Sequence, residues 1–234
     1  MSLYVMADLH LSFSTDKPMD VFGDRWEGYV NKIKENWPLT EEDVIVIPGD
    51  ISWAMDLNEL KADMEFLAAL PGKKIIGKGN HDYWWTSKKK MDELVAPYGN
   101  IFFLHNNSYT LGDISICGTR GWIREPGKAE DIKVLNREVL RLEASLKTAK
   151  ATPIAFLHYP PVFADLDCPQ ILDVLNRYGV KTCYYGHLHG KAIGGAVNGK
   201  RKGIDYSLIS ADYLNFTPKL IIEGDLRELT EVKN

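Results

Sequence analysis

The segment Gly186-His187-Leu188-His189 places two of the six histidines of the chain two residues apart, directly after an apolar run. In an extended segment, side chains at positions i and i+2 lie on the same side, so both imidazoles can point toward one place. Imidazole nitrogens are good ligands for transition metals. A solvated strand end gives the same pattern, so the pair needs further ligands before a metal site is the better interpretation.

Polar side chains also follow several other short apolar runs. They occur in the motifs Asp8-Leu9-His10, Gly49-Asp50, Gly79-Asn80-His81-Asp82 and His158-Tyr159-Pro160-Pro161. Ligand sites of α/β sheets lie at the carboxyl ends of strands, so we expect these residues at one edge of the fold. Taken singly, each has a structural interpretation, such as a common Gly-Asp turn pair or a hydrogen-bonded core histidine. Together they favour a functional site.

Short β-branched runs and stretches of helical periodicity alternate through the first three quarters of the chain. Steps of three and four between apolar residues predict helices around 57–67 and 132–146. The predicted strands are 3–7, 44–48, 73–76, 101–104, 114–117, 153–157 and 180–185. Strands that alternate with helices indicate an α/β fold.

After His189 the pattern changes to two-residue alternation and turns. The Asn198-Gly199 pair predicts a hairpin turn. The predicted strands are 192–197, 204–209, 219–223 and 226–232. A β-rich end after helix alternation predicts two sheets rather than one doubly wound sheet. With 234 residues and no evident linker or repeat, we expect one domain over residues 1–234.

Composition limits the class of partner and the compartment. A formal net charge of −4 argues against a dedicated electrostatic grip on nucleic acid or an anionic membrane. No run approaches the roughly 18 apolar residues of a membrane span, and no basic leader is evident, so we expect a cytoplasmic protein. The cysteines Cys117, Cys168 and Cys183 are far apart, which predicts free thiols rather than disulfides.

The ordered set Asp-x-His, Gly-Asp, Gly-Asn-His-Asp, His-x-Pro-Pro and Gly-His-x-His resembles the calcineurin-like metallophosphoesterase superfamily. The resemblance runs from Asp8 to His189, which is most of the chain. It implies an α/β fold of one particular kind, a four-layer α/β/β/α sandwich of two mixed β-sheets flanked by helices. A dinuclear metal centre would lie between the strand ends.

The resemblance also implies a role for each motif residue. The first metal ion would be held by Asp8, His10 and His189, the second by Asn80, His158 and His187, and Asp50 would bridge the two. A set of nitrogen and oxygen donors without thiolate suits two divalent or mixed-valence transition-metal ions, which would be Mn, Fe, Zn, Co or Ni.

The implied reaction is hydrolysis of a phosphomonoester or phosphodiester by in-line attack of a metal-bridging hydroxide. Asp50 and His81 would be the catalytic residues, with His81 facing the leaving-group oxygen as general acid. The protein-phosphatase branch orients this histidine with a second Asp three residues after Gly-Asp, where this chain has Trp53. This departure disfavours a protein Ser/Thr phosphatase and leaves Asp82 or Asp56 as substitutes for that Asp.

Three further residues are candidate substrate contacts. Arg120, within the stretch 118–125, could grip a phosphate bidentately, although a surface arginine in a Gly turn fits equally. Trp84 and Trp85 follow the Gly-Asn-His-Asp motif and could stack on a flat group, or could wedge the loop onto the sheet. We therefore expect a small or nucleotide-like phosphoester.

Two other functions remain open from the sequence. A nuclease acting on single-stranded DNA or RNA would share the motifs, although the acidic balance and lack of an added basic domain disfavour long nucleic acid. A catalytically silent scaffold of the same fold is the second, although such proteins usually lose ligands. The oligomeric state cannot be predicted.

Overall fold

Two β-sheets form the framework of the computed structural model, which describes residues 1–122, 129–224, 226 and 228–234. The helices are α1 (Tyr29–Glu35), α2 (Leu60–Ala69), α3 (Lys88–Val95), α4 (Ala129–Lys147) and α5 (Pro169–Arg177). The strands are β1 (Leu3–Val5), β2 (Val44–Pro48), β3 (Lys73–Gly77), β4 (Ile101–Phe103), β5 (Ser108–Leu111), β6 (Ile114–Thr119), β7 (Thr152–Leu157), β8 (Val162–Phe163), β9 (Leu166–Asp167), β10 (Thr182–Tyr185), β11 (Gly199–Arg201), β12 (Ile204–Leu208), β13 (Lys219–Ile222) and β14 (Leu229–Val232). Short 3-10 helices lie at Met19–Phe22, Asp24–Trp26 and Gly190–Gly195.

The five-stranded sheet has the order β13-β1-β2-β3-β4, in which β1 to β4 run parallel. The seven-stranded sheet has the order β11-β12-β10-β7-β6-β5-β14, with a parallel centre of β12, β10, β7 and β6. The remaining strands of both sheets are antiparallel to their neighbours. Both sheets are therefore mixed, as predicted.

The carboxyl edges of the two sheets are joined directly by the backbone. Just past β1, Ala7 forms a parallel bridge to Ser210, which lies just past β12. The amide of Ala7 donates to the carbonyl of Ile209 at 2.8 Å, and the amide of Ala211 donates to the carbonyl of Ala7 at 2.9 Å. The residues that follow the parallel strands of both sheets therefore meet at one place.

Alternation along β2 separates two layers of the core. Val44 and Val46 face the other sheet, where they share an inner core with Tyr109 and Phe156. The intervening isoleucines of the strand face the outer layer of α1, α2 and α3. A second outer core packs α4 and α5 on the seven-stranded sheet. The four-layer α/β/β/α sandwich is thereby confirmed.

None of the helices described here is long and apolar enough to cross a membrane.

The segment after His189 differs from its prediction in two respects. The predicted strand 192–197 is largely the 3-10 helix Gly190–Gly195, because the three glycines of this helix have no side chains to pack in a strand. The predicted hairpin turn at Asn198-Gly199 is displaced, because β11 begins at Gly199. The turn lies at Lys202-Gly203, where both residues have positive φ, at 49° and 83°.

Candidate metal centre

The seven predicted ligands all follow strands at the joined carboxyl edge. Asp8 and His10 come after β1, Asp50 after β2 and Asn80 after β3, while His158 follows β7, and His187 and His189 follow β10. The structure brings six of them into two groups that could each hold a metal ion. The groups are Asp8, His10 and His189, and Asp50, His158 and His187, with the ligand atoms of each within 4.8 Å of one another.

Asp50 lies between the two groups. Its Oδ2 is 3.7 Å from His10 Nε2 in the first group and 3.5 Å from His158 Nε2 in the second. Asn80, the seventh residue, places its Oδ1 2.7 Å from His158 Nε2, and His187 Nδ1 is 3.2 Å from the same nitrogen. The second group thus has four converging nitrogen and oxygen atoms, a donor set that fits a transition-metal cation.

Burial keeps three of the histidines neutral. The pKa of His10 and of His158 is well below the ordinary value, first because both rings are buried and then because neighbouring imidazoles repel a second charge. Burial likewise lowers the pKa of His187 to about 4, against the opposing effect of Asp8. Neutral imidazole is the form that ligates metals, so the rings are ready for this role at neutral pH.

Burial shifts the pKa of the carboxylate of Asp50 in the opposite direction. Burial raises the pKa of Asp50 well above its ordinary value, and the nearby carboxyls of Asp82 and Asp8 raise it further. Crowded carboxylates of this kind are stabilised by cations bound among them. The charge distribution therefore fits the same metal role as the geometry.

His189 is held by a carboxylate that the sequence analysis missed. Its Nδ1 lies 2.8 Å from Oδ1 of Asp212, which is buried just beyond β12. Burial lowers the pKa of His189, but Asp8 and the hydrogen bond with Asp212 outweigh it and raise the pKa to about 10. A carboxylate that binds one ring nitrogen of a histidine leaves the other nitrogen to ligate, an arrangement that is common at metal sites. No local motif marks Asp212.

Four of the seven residues have a left-handed backbone. The φ angles of Asp8, His10, Asp50 and His187 are 64°, 47°, 51° and 72°. Such angles are uncommon for residues other than glycine and persist at functional sites because surrounding contacts impose them. The loops hold one another here: the amide of His10 donates to the carbonyl of Asp50 at 2.9 Å, and the amide of His187 donates to the Asp8 carboxylate at 2.9 Å.

Two glycines make this close approach of loops possible. A Cβ on Gly186 would lie 2.5 Å from Oδ2 of Asp8. A Cβ on Gly79 would collide with the backbone and carboxylate of Asp50. The glycines of the Gly-Asn-His-Asp and Gly-His-x-His motifs are therefore required by packing against two of the predicted ligands.

Asp82 ties the loop after β2 to the loop after β3. Its buried carboxylate accepts hydrogen bonds from the amides of Asp50 at 2.9 Å, Ile51 at 2.9 Å and Gly79 at 2.7 Å. The indole nitrogen of Trp84 donates to it at 3.2 Å. Burial raises the pKa of Asp82 to about 6 despite these hydrogen bonds. Among the described residues, its hydrogen bonds are with backbone amides of these two loops and with this indole.

His81 therefore has different neighbours from those considered in the sequence. Neither suggested substitute holds its ring, because Asp82 binds the two loops and Asp56 accepts from backbone amides in its own exposed turn. The ring of Trp53 lies against the imidazole at 4.3 Å between centroids. The hydroxyl of Tyr83 is 3.4 Å from His81 Nδ1. Aromatic contacts replace the expected carboxylate.

The two tryptophans proposed as substrate contacts pack into the protein. Trp84 is 2% exposed and belongs to the core beneath α2 and α3. Trp85 stacks on His105, and its indole nitrogen donates to His105 Nδ1 at 3.0 Å. This agrees with the alternative interpretation, in which they wedge the loop onto the sheet.

Other aromatic residues border the site. A cavity of about 320 Å³ adjoins the candidate metal centre and is lined by His10, Met19, Phe22, Trp26, Trp53, His81, His189 and Gly190. Trp26 lies in a segment of 3-10 helices without a periodic sequence pattern, so its position beside the site was not predicted.

Arg120 lies beside the loop that carries His158. Its carbonyl accepts from the amides of His158 at 3.1 Å and Tyr159 at 2.8 Å. Its guanidinium donates to the buried carboxylate of Glu138 at 3.2 Å and lies over the ring of Trp122 at 4.8 Å. The side chain is therefore fixed rather than free on the surface. Residues 123–125 of the same stretch lie outside the described residues.

Comparisons with known proteins agree with this geometry. The family model for calcineurin-like phosphoesterase matches residues 1–191. A comparison with curated protein sequences gives no match. Among solved structures, phosphopantetheinyl hydrolase from Mycobacterium tuberculosis is similar with a TM-score of 0.60 and 14% identity, covering 96% of each chain. A protein of unknown function from Aquifex aeolicus is similar with a TM-score of 0.50 and 16% identity, over 94% of this chain and 95% of its own.

The two solved structures support the fold alone, since their sequence identity to this chain is low. The family model is different, because it spans all seven residues of the candidate centre and most of the chain. The chain therefore belongs to the calcineurin-like phosphoesterase family.

Proposed function

We propose that the protein is a metal-dependent hydrolase of small phosphomonoesters or phosphodiesters that works with two transition-metal ions. The observation that carries the proposal is the position of Asp50, whose Oδ2 lies 3.5 to 3.7 Å from a histidine of each ligand group. A carboxylate so placed can bridge two ions. The complete set of ligands argues for an active enzyme rather than a scaffold.

The donor atoms narrow the metals to Mn, Fe, Zn, Co or Ni. Four imidazoles, two carboxylates and one amide oxygen surround the two positions, and no thiolate is among them. When bound, such ions would supply an activated water near neutral pH and positive charge for the phosphoryl oxygens. Asp8, His10 and His189 would hold one ion and Asn80, His158 and His187 the other.

His81 is the residue we assign to the leaving group. It is half-buried and lines the cavity beside the candidate metal centre. Its amide donates to Oδ1 of Asp50 at 2.8 Å, so its position is coupled to the bridging carboxylate. From this place its ring can give a proton to the departing oxygen as the phosphorus–oxygen bond breaks.

Arg120 is the residue we assign to the phosphate of the substrate. Glu138 and Trp122 fix its guanidinium next to the loop of His158, and its Nε is buried without a hydrogen-bond partner among the described residues. A fixed guanidinium can bind phosphate bidentately with little loss of side-chain entropy.

We also propose that residues 1–234 form one domain in the cytoplasm. The inner core shared by the two sheets supports a single folding unit. Cys117, Cys168 and Cys183 are all free thiols, which suits a reducing compartment.

The proposal is tested by elemental analysis and by Mn²⁺-dependent hydrolysis of p-nitrophenyl phosphate and bis-p-nitrophenyl phosphate. We expect about two metal ions per chain and turnover of at least one ester. Asp50→Asn should abolish turnover, whereas Asp173→Asn, a matched change at an exposed carboxylate of α5, should retain it. Stable protein with neither metal nor turnover would identify a silent scaffold instead.

A nuclease is the remaining alternative, and the same preparation tests it. Binding to single-stranded DNA that weakens steeply with salt, followed by cleavage, would favour a nuclease. The net charge of −4 leads us to expect neither.

A further inference from the structure

An aromatic cleft leads away from the candidate metal centre. We define it by the four side chains that form its walls, Met19, Phe22, Trp26 and Trp53. At its inner end lie His10, His81 and His189, so the cleft opens directly onto two predicted metal ligands and the proposed general acid. Its volume of about 320 Å³ lies within the range of small-molecule sites.

The inner walls of the aromatic cleft are held in place by the candidate site itself. Trp53 stacks on His10 with centroids 5.2 Å apart, and its indole nitrogen donates to Sδ of Met19 at 3.3 Å. Trp26 is 2% exposed and meets His189 edge-on at 5.5 Å. These walls are therefore preorganised rather than formed by the ligand.

The outer wall is open to solvent. Phe22 is 65% exposed and its neighbour Val21 is 72% exposed. A second lobe of about 260 Å³ shares Met19, Phe22 and Trp53 with the first and ends at Lys17. An exposed phenylalanine above a preformed apolar cleft gains burial only when a ligand covers it.

The direction of the proposed reaction identifies what part of a substrate enters this cleft. With phosphorus at the metal positions, the departing oxygen faces His81, and the group attached to that oxygen must lie on the His81 side. That side is the aromatic cleft. A highly hydroxylated group would lose hydration there without hydrogen bonds in return, whereas a flat apolar group would stack on the indole and phenyl walls.

We propose that the aromatic cleft selects aryl phosphoesters, in which the group that leaves with its oxygen is an aromatic ring system larger than a single phenyl ring. This inference rests on the proposed function. In the step concerned, a water molecule releases one proton to the solvent as its oxygen bonds to phosphorus, and the bond from phosphorus to the aryl oxygen breaks. His81 supplies the proton to that oxygen, so the products are phosphate and a phenol, without any redox change.

The test compares phenyl phosphate with 2-naphthyl phosphate, whose leaving phenols have similar acidity. The intrinsic reactivity of the two esters at phosphorus is therefore similar. The ratio of their kcat/KM values then measures how strongly the aromatic cleft favours the larger ring system. We expect the Mn²⁺-loaded wild type to prefer 2-naphthyl phosphate by about tenfold, in the range of a modest gain in apolar contact. Phe22→Ala should bring that ratio to within about twofold of one.

Phe13→Ala is the matched control, because Phe13 is a 50% exposed aromatic residue that does not line the aromatic cleft. It should keep the wild-type ratio. A wild-type ratio near one, or a ratio unchanged in Phe22→Ala, would overturn the inference while turnover of phenyl phosphate upholds the proposed function. No turnover of either ester would overturn the proposed function and this inference with it.

Binding of the product 2-naphthol, followed by tryptophan fluorescence in metal-free protein, gives a readout independent of turnover. We expect saturable binding that Phe22→Ala weakens about tenfold and Phe13→Ala leaves unchanged. Octyl phosphate and a nucleoside 5′-monophosphate complete the substrate set. If either had a higher kcat/KM than 2-naphthyl phosphate, the inference would be overturned, and the group that the cleft selects would be an alkyl chain or a nucleoside instead of an aromatic group.

Discussion

The indole of Trp53 lies against the imidazole of His81 with ring centroids 4.3 Å apart, where the protein-phosphatase pattern would put a carboxylate. Burial lowers the pKa of His81, and Asp8 opposes this only in part. The proposed general acid is therefore positioned by ring contacts rather than by an anionic partner. A protonated ring is then a minor species at neutral pH, which matters most when the leaving group needs a proton.

Replacing His81 should therefore have an effect that depends on the leaving group. His81→Ala should lower kcat/KM for phenyl phosphate by about 100-fold or more, because phenolate is a poor leaving group without general acid catalysis. The loss for p-nitrophenyl phosphate should be much smaller, because that leaving group departs unprotonated. Equal losses for both esters would contradict the assigned role.

Asp212 should affect metal affinity more than the fold. Removal of its charge in Asp212→Asn weakens the hydrogen bond that orients His189. We expect metal affinity to fall about 10-fold to 100-fold, as it does when other carboxylates that orient a ligating histidine are removed. A Mn²⁺ titration at fixed pH measures this. Asp205→Asn, at an exposed position of β12, serves as the matched control. An unchanged dissociation constant in Asp212→Asn would show that the carboxylate has only a packing role.

Arg120 should contribute mainly to substrate binding. We expect Arg120→Ala to raise KM about tenfold with a smaller change in kcat, because the lost phosphate contact is present before the reaction begins. Arg141 donates to the same carboxylate of Glu138 at 2.8 Å but is 43% exposed, so Arg141→Ala controls for disturbance of Glu138. If both variants raised KM equally, the increase would be due to disturbance of Glu138 rather than to loss of a phosphate contact.

Lys74 predicts a pH dependence of stability. It is fully buried in β3, its amine donates to the carbonyl of Leu70, and burial lowers its pKa to about 8. Between pH 8 and the ordinary value of 10.5, the unfolded chain binds more protons than the folded one, so this contribution to stability rises with pH. Below that window the burial of the charge costs about 3 kcal/mol.

Lys74→Met removes this cost. We expect the free energy of unfolding to be about 3 kcal/mol higher than in the wild type at pH 7, with the difference shrinking as pH rises to about 10. Urea unfolding of both proteins between pH 7 and about pH 10 measures this difference in the free energy of unfolding. The contributions of other titrating groups are the same in both proteins and cancel in the difference. Lys73→Met, at the half-buried neighbouring position, should show no such trend. A pH-independent difference would mean that Lys74 titrates normally in the fold.

Local sequence patterns predicted the framework of two sheets well. A strand followed by a polar motif can be recognised from neighbouring residues alone. The strand Val44–Pro48 and the position of Asp50 just past its end follow directly from this rule. The segment after His189 was predicted poorly, since alternation over a few residues does not outweigh the conformational freedom of three glycines.

The parts of the site that were missed depend on residues far apart in the sequence. Asp212 lies 23 residues after His189 and meets it because β10 and β12, the strands that precede the two residues, are neighbours in the seven-stranded sheet. Trp26 reaches the cavity through a non-periodic segment, whereas Trp84 turns into the core to reach Asp82. Proximity to a motif does not specify the direction of a side chain.

The bridge between Ala7 and Ser210 joins the two sheets at the edge where the predicted ligands of both sheets meet. Each of the two groups combines residues from both halves of the sandwich: Asp8 and His10 with His189, and Asp50 with His158 and His187. Either sheet by itself supplies at most two members of a group. Under the proposed function, metal loading would act as a checkpoint on assembly, and we expect a chain with one misfolded half to be inert.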